Sequence, residues 1–555
     1  MRAVQVRDDL QDAARLLQRF QQELVRGDPG AAAATLAAIQ RLTRSAAGAA
    51  GDPAVRLAAR LPGPGRDLRA ARVVAVTVDD VARRVLPVLL RLAEQGNGLR
   101  GGSLDLGRVR SMAGPVAAAA GALEPIRRRI EAVPDDGLSP RVAAAVAELR
   151  GQLGRAAAAL DAVRRATALV PAMLGDGGER TYLVLFQNPA EVRATGGMPG
   201  AYAVVAAGAG RLRLVAQGTA SAGLRAFDAP VLPVDPQTRA LYGDAVASHP
   251  ANITMVPNFP AAAAVAREMY RLRSGVTVDG VLATDPVTLS YLLAATGPVA
   301  VPDGPALDAS SAVRVLLADT YARFATQPQQ DAYFARAARA AFEALTTRAV
   351  DGRALLSGLA RAAGEHRVLL WSAHPEEQAL IAGSAVEGAL PERDAADRPT
   401  VGVFLNDGGG AKLDYYLAPS LELAAPGCRR ELTATLTLGS TAPASGLPAG
   451  VLTYQGITDP YTARTFVSVY APTGWGVLDA QLDGAPVSIA SGTDRGRMVA
   501  LTTLDVRPGQ RRTLRVRLSA PDDGAGPWTP AVWTTPTVAP WSITTRSPDS
   551  CGRGR

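Results

Sequence analysis

A group of polar residues and glycines follows the apolar segment 181–187 and could bind an oxyanion. The adjacent glycines would let backbone N–H groups approach a negatively charged oxygen, because they carry no side chain. Arg193 could hold a phosphate or carboxylate with a two-pronged hydrogen bond, and Glu191 could orient it. The alternative is an ion pair between these two residues that braces the loop, with the glycines forming a turn. The candidate ligand-binding residues here are Asn188, Glu191, Arg193, Thr195, Gly196 and Gly197.

Two further arginines, in a predicted helix, could also bind an anionic group. Arg336 and Arg339 are three residues apart in a segment predicted to be helical, so they share one helix face. Together with Arg323, one helix earlier, they could converge on a cleft and bind a pyrophosphate. The alternative is a solvated basic face without a ligand.

Two acids flank a short predicted strand. Asp279 and Asp285 could hold magnesium through oxygen ligands. Alternatively they cap turns or helices, since Asp285-Pro286 is typical of an N-cap followed by proline at the first helical position.

Residues 407–410, Asp-Gly-Gly-Gly, lie beside Lys412 and suggest a phosphate-binding loop. They lack the spacing of a P-loop, so a hairpin or interdomain turn is the alternative.

The cysteines and histidines are few. Cys428 and Cys551 are either a disulfide that ties the C-terminal tail to a β-rich region, which requires an oxidising compartment, or two unrelated thiols. His249, His366 and His374 are not grouped with them, which argues against a zinc site. The chain has no Gly-x-Ser-x-Gly motif, which disfavours a serine hydrolase.

The composition limits the class of protein. Of 555 residues 48% are hydrophobic and 20% are charged, which is compatible with packed cores. The net charge of +8 is carried by arginines that are interleaved with acids along the chain, so nucleic-acid binding is not expected. No signal peptide and no sufficiently apolar run of about 20 residues is present, so the residues alone predict a soluble cytoplasmic protein.

The apolar spacing changes twice along the chain. Steps of three and four residues predict helices over 9–26, 31–47, 78–94, 109–133 and 140–170, the third and fourth interrupted by Pro87 and Pro115. Beyond residue 175, strands at 181–187, 201–207, 211–216, 280–284 and 299–301 alternate with helices at 260–273, 286–295, 310–324 and 331–349. The continuous apolar run at 181–187 is typical of an interior strand.

From about residue 400 the apolar period becomes two, as at Leu432, Ala434, Leu436 and Leu438. We therefore predict a multidomain α+β protein: a helical bundle or stalk (1–170), an α/β domain (171–398) and an antiparallel β-sandwich (399–520). The Pro-, Thr- and Trp-rich tail (521–555) is expected to lie extended over the surface.

Four stretches of the chain together have a recognisable pattern. They are GERTYLVLFQNPAEVRATGGMPGAY (178–202), VTVDGVLATDPVTLSYLLAATGPVAVPDG (276–304), WSAHPEEQALI (371–381) and GVFLNDGGGAKLDYYL (402–417). In this order they resemble the bacterial family known as domain of unknown function 4012. The family occurs in actinobacteria and other bacteria, and its members typically carry an N-terminal membrane anchor. The resemblance implies an extracytoplasmic, membrane-associated protein of the cell envelope, although no anchor is present in this chain.

The central segment is also distantly similar to the LytR–CpsA–Psr phosphotransferases, which transfer lipid-linked glycopolymers to the cell wall. Arg180 stands where those enzymes have a metal-binding aspartate, which puts the magnesium site in doubt. The corresponding pieces would be Arg180-Thr181, Asp285 with Gly297-Pro298-Val299, and Arg336 with Arg339.

The resemblances lead to two functional hypotheses. The first is a non-enzymatic envelope protein whose α/β domain binds or organises a surface polymer or another partner. The alternative is a glycopolymer phosphotransferase that acts on a polyprenyl pyrophosphate, with Arg193, Arg336 and Arg339 on the pyrophosphate. No cofactor is expected, except magnesium if the second hypothesis holds.

Overall fold

The computed structural model describes residues 2–62, 64–95, 99–100, 102–134, 136–395, 397–425, 430–454, 456–521 and 528–546. They divide into two compact units, Met1–Gly178 and Glu179–Arg555. The first is built mainly of helices and the second contains nearly all the strands, so the coarse prediction of a mixed α and β protein with a helical N-terminal region is confirmed.

Seven helices and one short strand pair form the first unit. They are α1 (Arg2–Arg26), α2 (Pro29–Ala50), α3 (Pro53–Ala58), α4 (Pro64–Arg84), α5 (Leu86–Gln95), β1 (Leu99–Arg100), β2 (Ser103–Leu104), α6 (Leu106–Glu131) and α7 (Pro140–Met173). The predicted helix over 78–94 is two helices that meet at Val85, because Pro87 lacks the N–H that a continuous helix needs. Pro115, in contrast, lies within α6 without ending it.

The core of the first unit shows why these sequences pack as helices. α6 and α7 contribute buried aliphatic residues at helical spacing, and small alanines of α2 and α4 pack with Val6 of α1. The fully or nearly fully buried members on α6 and α7 include Val116, Leu123, Ile126, Ile130, Val146, Leu153 and Leu160. No helix in the described residues combines the length and the apolarity required to cross a membrane.

The second unit begins with a mixed sheet and its helices. The strands are β3 (Arg180–Asn188), β4 (Met198–Gly208), β5 (Arg211–Thr219), β6 (Gly280–Thr284) and β7 (Leu369–Ser372). The helices are α8 (Ala220–Gly223), α9 (Pro236–Tyr242), α10 (Phe259–Ser274), α11 (Pro286–Thr296), α12 (Ala312–Arg314), α13 (Thr320–Arg323), α14 (Gln327–Thr347), α15 (Gly352–Gly364) and α16 (Pro375–Ile381). A π-helical segment, Val315–Asp319, joins α12 to α13.

The order of neighbouring strands in this sheet is β5-β4-β3-β6-β7. β3 pairs with β6 in parallel and with β4 antiparallel, so it is the interior strand that its apolar run predicts. Leu183 and Leu185 have no exposed surface and pack with α10 in the main core of this part. The predicted strand at 299–301 is wrong, since only an isolated bridge joins Val299 to Leu307.

Two further sheets follow. Their strands are β8 (Thr400–Asp407), β9 (Leu417–Ala424), β10 (Glu431–Ser440), β11 (Ala463–Tyr470), β12 (Gly476–Leu482), β13 (Ala485–Pro486), β14 (Ala490–Asp494), β15 (Arg497–Val506), β16 (Arg511–Ser519), β17 (Ala531–Thr534) and β18 (Ser542–Arg546). One sheet has the order β13-β12-β16-β10-β9-β18 and the other β14-β15-β11-β8-β17. Residues of both sheets share one apolar core, and the alternating Leu432, Ala434, Leu436 and Leu438 lie in it.

The tail is more than a surface covering. β17 pairs in parallel with β8, and β18 pairs in parallel with β9, so the tail adds one edge strand to each sheet. Trp528 and Thr535 are buried. The expectation of a tail extended over the surface is therefore corrected, because its backbone N–H groups find partners in the two sheets.

Candidate functional site

The predicted loop begins where β3 ends and is held by its own first residue. The Asn188 carboxamide oxygen accepts a hydrogen bond from the Ala190 amide at 3.1 Å, which closes a tight turn. Its amide group donates to a Glu191 oxygen at 3.0 Å and to the Tyr321 hydroxyl at 3.3 Å. The chain thus leaves the strand in a fixed direction, and the following side chains point into the protein.

Arg193 is nearly buried and its hydrogen bonds go to the protein itself. The guanidinium donates to the carbonyl oxygens of Ala251, Val192 and Asp407 at 3.1, 2.9 and 3.2 Å. The nearest carboxylate oxygen, of Asp407, lies 3.9 Å away. Arg193 therefore ties the β3–β4 loop to the end of β8 and to the segment near residue 251.

Glu191 pairs with a different cation from the one expected. Its carboxylate lies 3.0 Å from the Lys412 ammonium, and Arg193 is engaged elsewhere. The same ammonium lies 5.0 Å from the centre of the Tyr321 ring, a distance that allows a cation–π interaction. The prediction that Glu191 pairs with Arg193 is therefore wrong. An ion pair does brace the loop, but it joins Glu191 to Lys412.

The glycine-rich segment after β8 meets this loop. The Asp407 carboxylate accepts hydrogen bonds from the amides of Gly409 and Gly410, each at 2.9 Å, which fixes the glycine turn. Asp414 is almost completely buried and accepts from the Val192 amide at 2.9 Å. The segment therefore binds its own aspartate where a P-loop would bind a phosphate.

Three carboxyl groups and two cations share this buried cluster, which consists of Glu191, Arg193, Asp407, Lys412 and Asp414. Burial, followed by the neighbouring Asp407 carboxylate, raises the pKa of Asp414 well above its usual value. Burial also raises the pKa of Asp407, against the opposing effect of Arg193. Asp414 consequently keeps its proton at a pH at which an exposed aspartate has lost it.

The two glycines of the loop are required by packing. A Cβ on Gly197 would lie 2.4 Å from the carbonyl carbon and oxygen of Asn188. The Gly197 amide donates to the Gln187 side chain at 2.9 Å, and the Gly196 amide donates to the Arg193 carbonyl at 2.8 Å. Thr195 is buried and also contacts Gln187, at 3.4 Å. The amides expected to face an oxyanion thus bond within the protein.

Arg180 and Asp279 form a separate cluster, at the start of β3 and β6. The Asp279 carboxylate accepts from the Thr181 amide at 2.8 Å and contacts the His374 ring at 2.9 Å and Arg180 at 3.3 Å. Arg180 also contacts the His374 ring and lies 3.5 Å from Glu377. Although burial acts to raise it, the Thr181 amide, His374 and Arg180 hold the pKa of Asp279 below its usual value.

Asp285 lies elsewhere and has two structural roles. One oxygen caps α11 by accepting from the Thr288 amide at 2.7 Å, as the capping alternative predicts. The other oxygen pairs with Arg367 at 2.7 Å, and both side chains are buried. Arg367 in turn donates to the Thr537 carbonyl at 2.7 Å and so holds the tail segment. In the described residues no three His, Cys, Asp or Glu side chains gather into a possible metal site.

The helix arginines do not join the loop. Arg336 is half-buried and donates to the Pro302 carbonyl at 3.0 Å, whereas Arg339 and Arg323 are exposed. No hydrogen bond or ion pair links them to Arg193 within the part of the chain that the structure describes. Cys428 and Cys551 lie outside the described residues, so the predicted disulfide stays a prediction.

Two small cavities lie in the second unit. One lies among Thr195, His366, Phe404 and Trp533, and another among Tyr470, Asp494 and Arg497. Each has a volume of about 10 Å³, roughly the space of one water molecule, so neither has room for a sugar or a phosphate. No residue of the buried cluster lines either of them.

Sequence patterns do not single out Asp414, and they place Lys412 only beside a candidate phosphate-binding loop or turn. One signal could have singled out Lys412: it is the single lysine among 59 basic residues, in a chain that otherwise uses arginine. Asp414 had a weaker signal, an acid between Leu413 and Tyr415.

A family model matches part of the second unit of this chain. Neither the curated proteins nor the solved structures include one that matches this chain. The matched segment includes the first two of the four stretches that carry the family resemblance, together with β3 and the loop around Arg193. Residues 177–321 match the model of a family described as protein of unknown function (DUF4012), which confirms the family resemblance of the sequence.

Proposed function

We propose that this chain is a non-catalytic protein of the cell envelope that binds or organises a surface polymer or another partner. The proposal includes an extracytoplasmic, membrane-associated location. It also includes the finer fold assignments, a LytR–CpsA–Psr-like α/β domain and a C-terminal β-sandwich. The location and the LytR–CpsA–Psr-like assignment rest on the family resemblances. The β-sandwich assignment rests on the strand patterns.

One observation carries the non-catalytic part of the proposal. The guanidinium of Arg193 and the amides of Gly196 and Gly197 are the groups that would bind a pyrophosphate, and they bond to protein acceptors instead. If Arg193 and these amides turned to a ligand, the buried oxygens that they now contact would lose their hydrogen-bond partners. Each unpaired buried group would cost about 1–3 kcal/mol. The loop is thus better suited to a rigid framework than to substrate turnover.

The phosphotransferase hypothesis would require Arg193, Arg336 and Arg339 to face one cleft with an acid. Arg336 bonds the Pro302 carbonyl, and Arg193 bonds three other carbonyls. Asp285 is neutralised by a buried arginine, and Asp279 by a partly exposed one. These contacts favour the binding protein over the transferase, and magnesium has no part in the proposal.

A binding experiment separates the two hypotheses. Purified protein would be mixed with insoluble cell walls of the source organism and, separately, titrated with geranyl pyrophosphate, a soluble polyprenyl pyrophosphate, while the melting temperature is measured. We expect retention on the walls and no rise in melting temperature. Loss of retention would contradict the binding function.

The transferase hypothesis predicts a different set of results. Geranyl pyrophosphate would raise the melting temperature of the unaltered protein, and Arg336→Ala with Arg339→Ala would abolish that rise. A control pair, Arg211→Ala with Arg225→Ala, removes two exposed arginines elsewhere in the second unit. The transferase hypothesis requires the control pair to keep the rise.

A further inference from the structure

Exposed aromatic rings are rare on this protein, and they occur together. Fifteen large apolar side chains in the described residues are exposed, and two of these, Tyr454 and Phe466, are aromatic. Tyr454 is 68% exposed and Phe466 is 39% exposed. Both contact the same glycine segment, 408–410, although they are separated by twelve positions in the chain. An exposed ring has no role in a core, so this pairing requires an explanation.

The two rings pack directly against the backbone of Gly408 and Gly410. A Cβ on Gly410 would lie 2.5 Å from two ring carbons of Tyr454, and a Cβ on Gly408 would lie 2.8 Å from the ring of Phe466. Each ring therefore packs against bare backbone and leaves much of its surface in solvent. Gly410 also has a φ of +64°, which favours glycine.

The support under the rings is rigid. The Asp407 carboxylate fixes the amides of Gly409 and Gly410, and the Tyr454 amide donates to the Gly409 carbonyl at 3.2 Å. The Gly408 amide donates to the Arg464 carbonyl at 2.8 Å. Because the backbone is held from both sides, the rings lose little freedom when a ligand stacks on them.

A neutral polar edge adjoins the rings. Arg464 lies in β11 on the same face as Phe466, two residues away, and pairs with Asp505 through two hydrogen bonds of 2.8 and 2.7 Å. The pair is about one-third exposed. Two of the five guanidinium donors are used in it, and the carboxylate has further lone pairs. Donors and acceptors thus lie beside the rings without a net charge.

We propose that Tyr454, Phe466 and the Arg464–Asp505 pair form a binding platform for a neutral saccharide segment. A sugar ring has a face of C–H groups with partial positive charge, which stacks on the negative face of an aromatic ring. Its hydroxyl groups lie at the edge, where the planar arginine and carboxylate groups can bond them. The inference rests on the proposed function and names the substrate class of the polymer.

A protein partner fits this surface less well. A stable protein interface needs about 800 Å² from each partner, with an apolar centre. Ile457 is the other exposed large apolar side chain close in sequence to Tyr454, and three such side chains make a small apolar centre. Aromatic stacking with a polar edge suits a few sugar units, whereas an anionic polymer would require an excess of positive charge.

The first test uses the full chain with Tyr454→Ala and Phe466→Ala together. The probe is the neutral oligosaccharide fraction that mild acid hydrolysis releases from cell walls of the source organism, and binding is measured by saturation-transfer NMR and titration calorimetry. We expect affinity to fall about tenfold or more, because two stacking contacts are lost. The control, Leu478→Ala, removes an exposed apolar side chain of β12 and should bind as the unaltered protein does.

A second variant tests the contact between Gly410 and the Tyr454 ring without removing either aromatic side chain. Gly410→Ala places a methyl group where the Tyr454 ring lies, so it should displace the ring and weaken binding, while melting temperature and circular dichroism show that the fold is kept. Gly446→Ala is the matched control, because Gly446 also has a positive φ, +85°, and a Cβ there meets no atom within 4 Å. Equal affinity of Gly410→Ala and Gly446→Ala would contradict the platform.

The outcomes distinguish this inference from the proposed function. If walls retain the unaltered protein and the double variant equally, the platform is wrong and the binding function stands. If walls retain the protein but the neutral fraction does not bind, the ligand class is wrong. If walls do not retain the unaltered protein, the proposed function fails, and the platform fails with it.

Discussion

Replacement of Asp414 by asparagine should change how the stability of the protein depends on pH. The Asp414 side chain is buried, accepts a hydrogen bond from the Val192 amide, and has a raised pKa because of burial and the nearby Asp407. Asparagine has nearly the same shape, is always neutral and can accept the same bond. The substitution therefore imitates the protonated aspartate at every pH.

The sign of the effect follows from proton binding. An aspartate in the unfolded chain has a pKa of about 3.9, whereas Asp414 in the folded protein titrates higher. Below about pH 4 both states are protonated, and the stability contribution of the aspartate is fully present. As the pH rises toward the folded pKa, the native state must hold a proton that the unfolded state has released. The free energy of unfolding then falls by about 1.4 kcal/mol per pH unit, relative to the asparagine variant.

Urea unfolding at pH 4, 5, 6 and 7 would measure this difference. All five tryptophans lie between residues 371 and 541, so their fluorescence reports the second unit alone. Asp228→Asn, which removes an exposed aspartate in the same unit, is the control and should give a flat difference from the unaltered protein. If Asp414→Asn also gave a flat difference, or became less stable relative to the unaltered protein as the pH rises, the raised pKa of Asp414 and its buried proton would be refuted.

Two further substitutions test the packing of the loop and of the tail. Gly197→Ala should destabilise the second unit by about 1–3 kcal/mol, because the new methyl group overlaps the Asn188 carbonyl. Gly200→Ala, where a Cβ has open space, should stay within about 0.5 kcal/mol in the same urea titration, and similar effects for both glycines would contradict the close contact. Arg367→Met should cost about 3–5 kcal/mol because it leaves the buried Asp285 without its cation. Adding Asp285→Asn, which still caps α11, should restore part of that loss; no recovery would show that the charge of Asp285 is not the cause.

Much of the secondary structure could be predicted because it depends on local spacing. The apolar run at 181–187 is the interior strand β3, and the two-residue alternation at 432–438 is a strand whose alternate residues enter the shared core. The predicted interruption of the helix at 78–94 by Pro87 is a local effect too, and α4 and α5 meet close by, at Val85. The tail was harder to predict, since the strands β17 and β18 pair with β8 and β9, more than a hundred residues earlier in the chain.

Local spacing was enough to predict the candidate loop and most of the helices and strands, because periodicity and turn residues act over a few positions. The partners of the buried charged groups follow from the fold alone: Glu191 pairs with Lys412, Arg193 bonds a carbonyl at the end of β8, and Asp285 pairs with Arg367. These partners are 82 or more positions apart. Their choice depends on how the sheets pack, because a buried charge is stable only where packing brings it a partner.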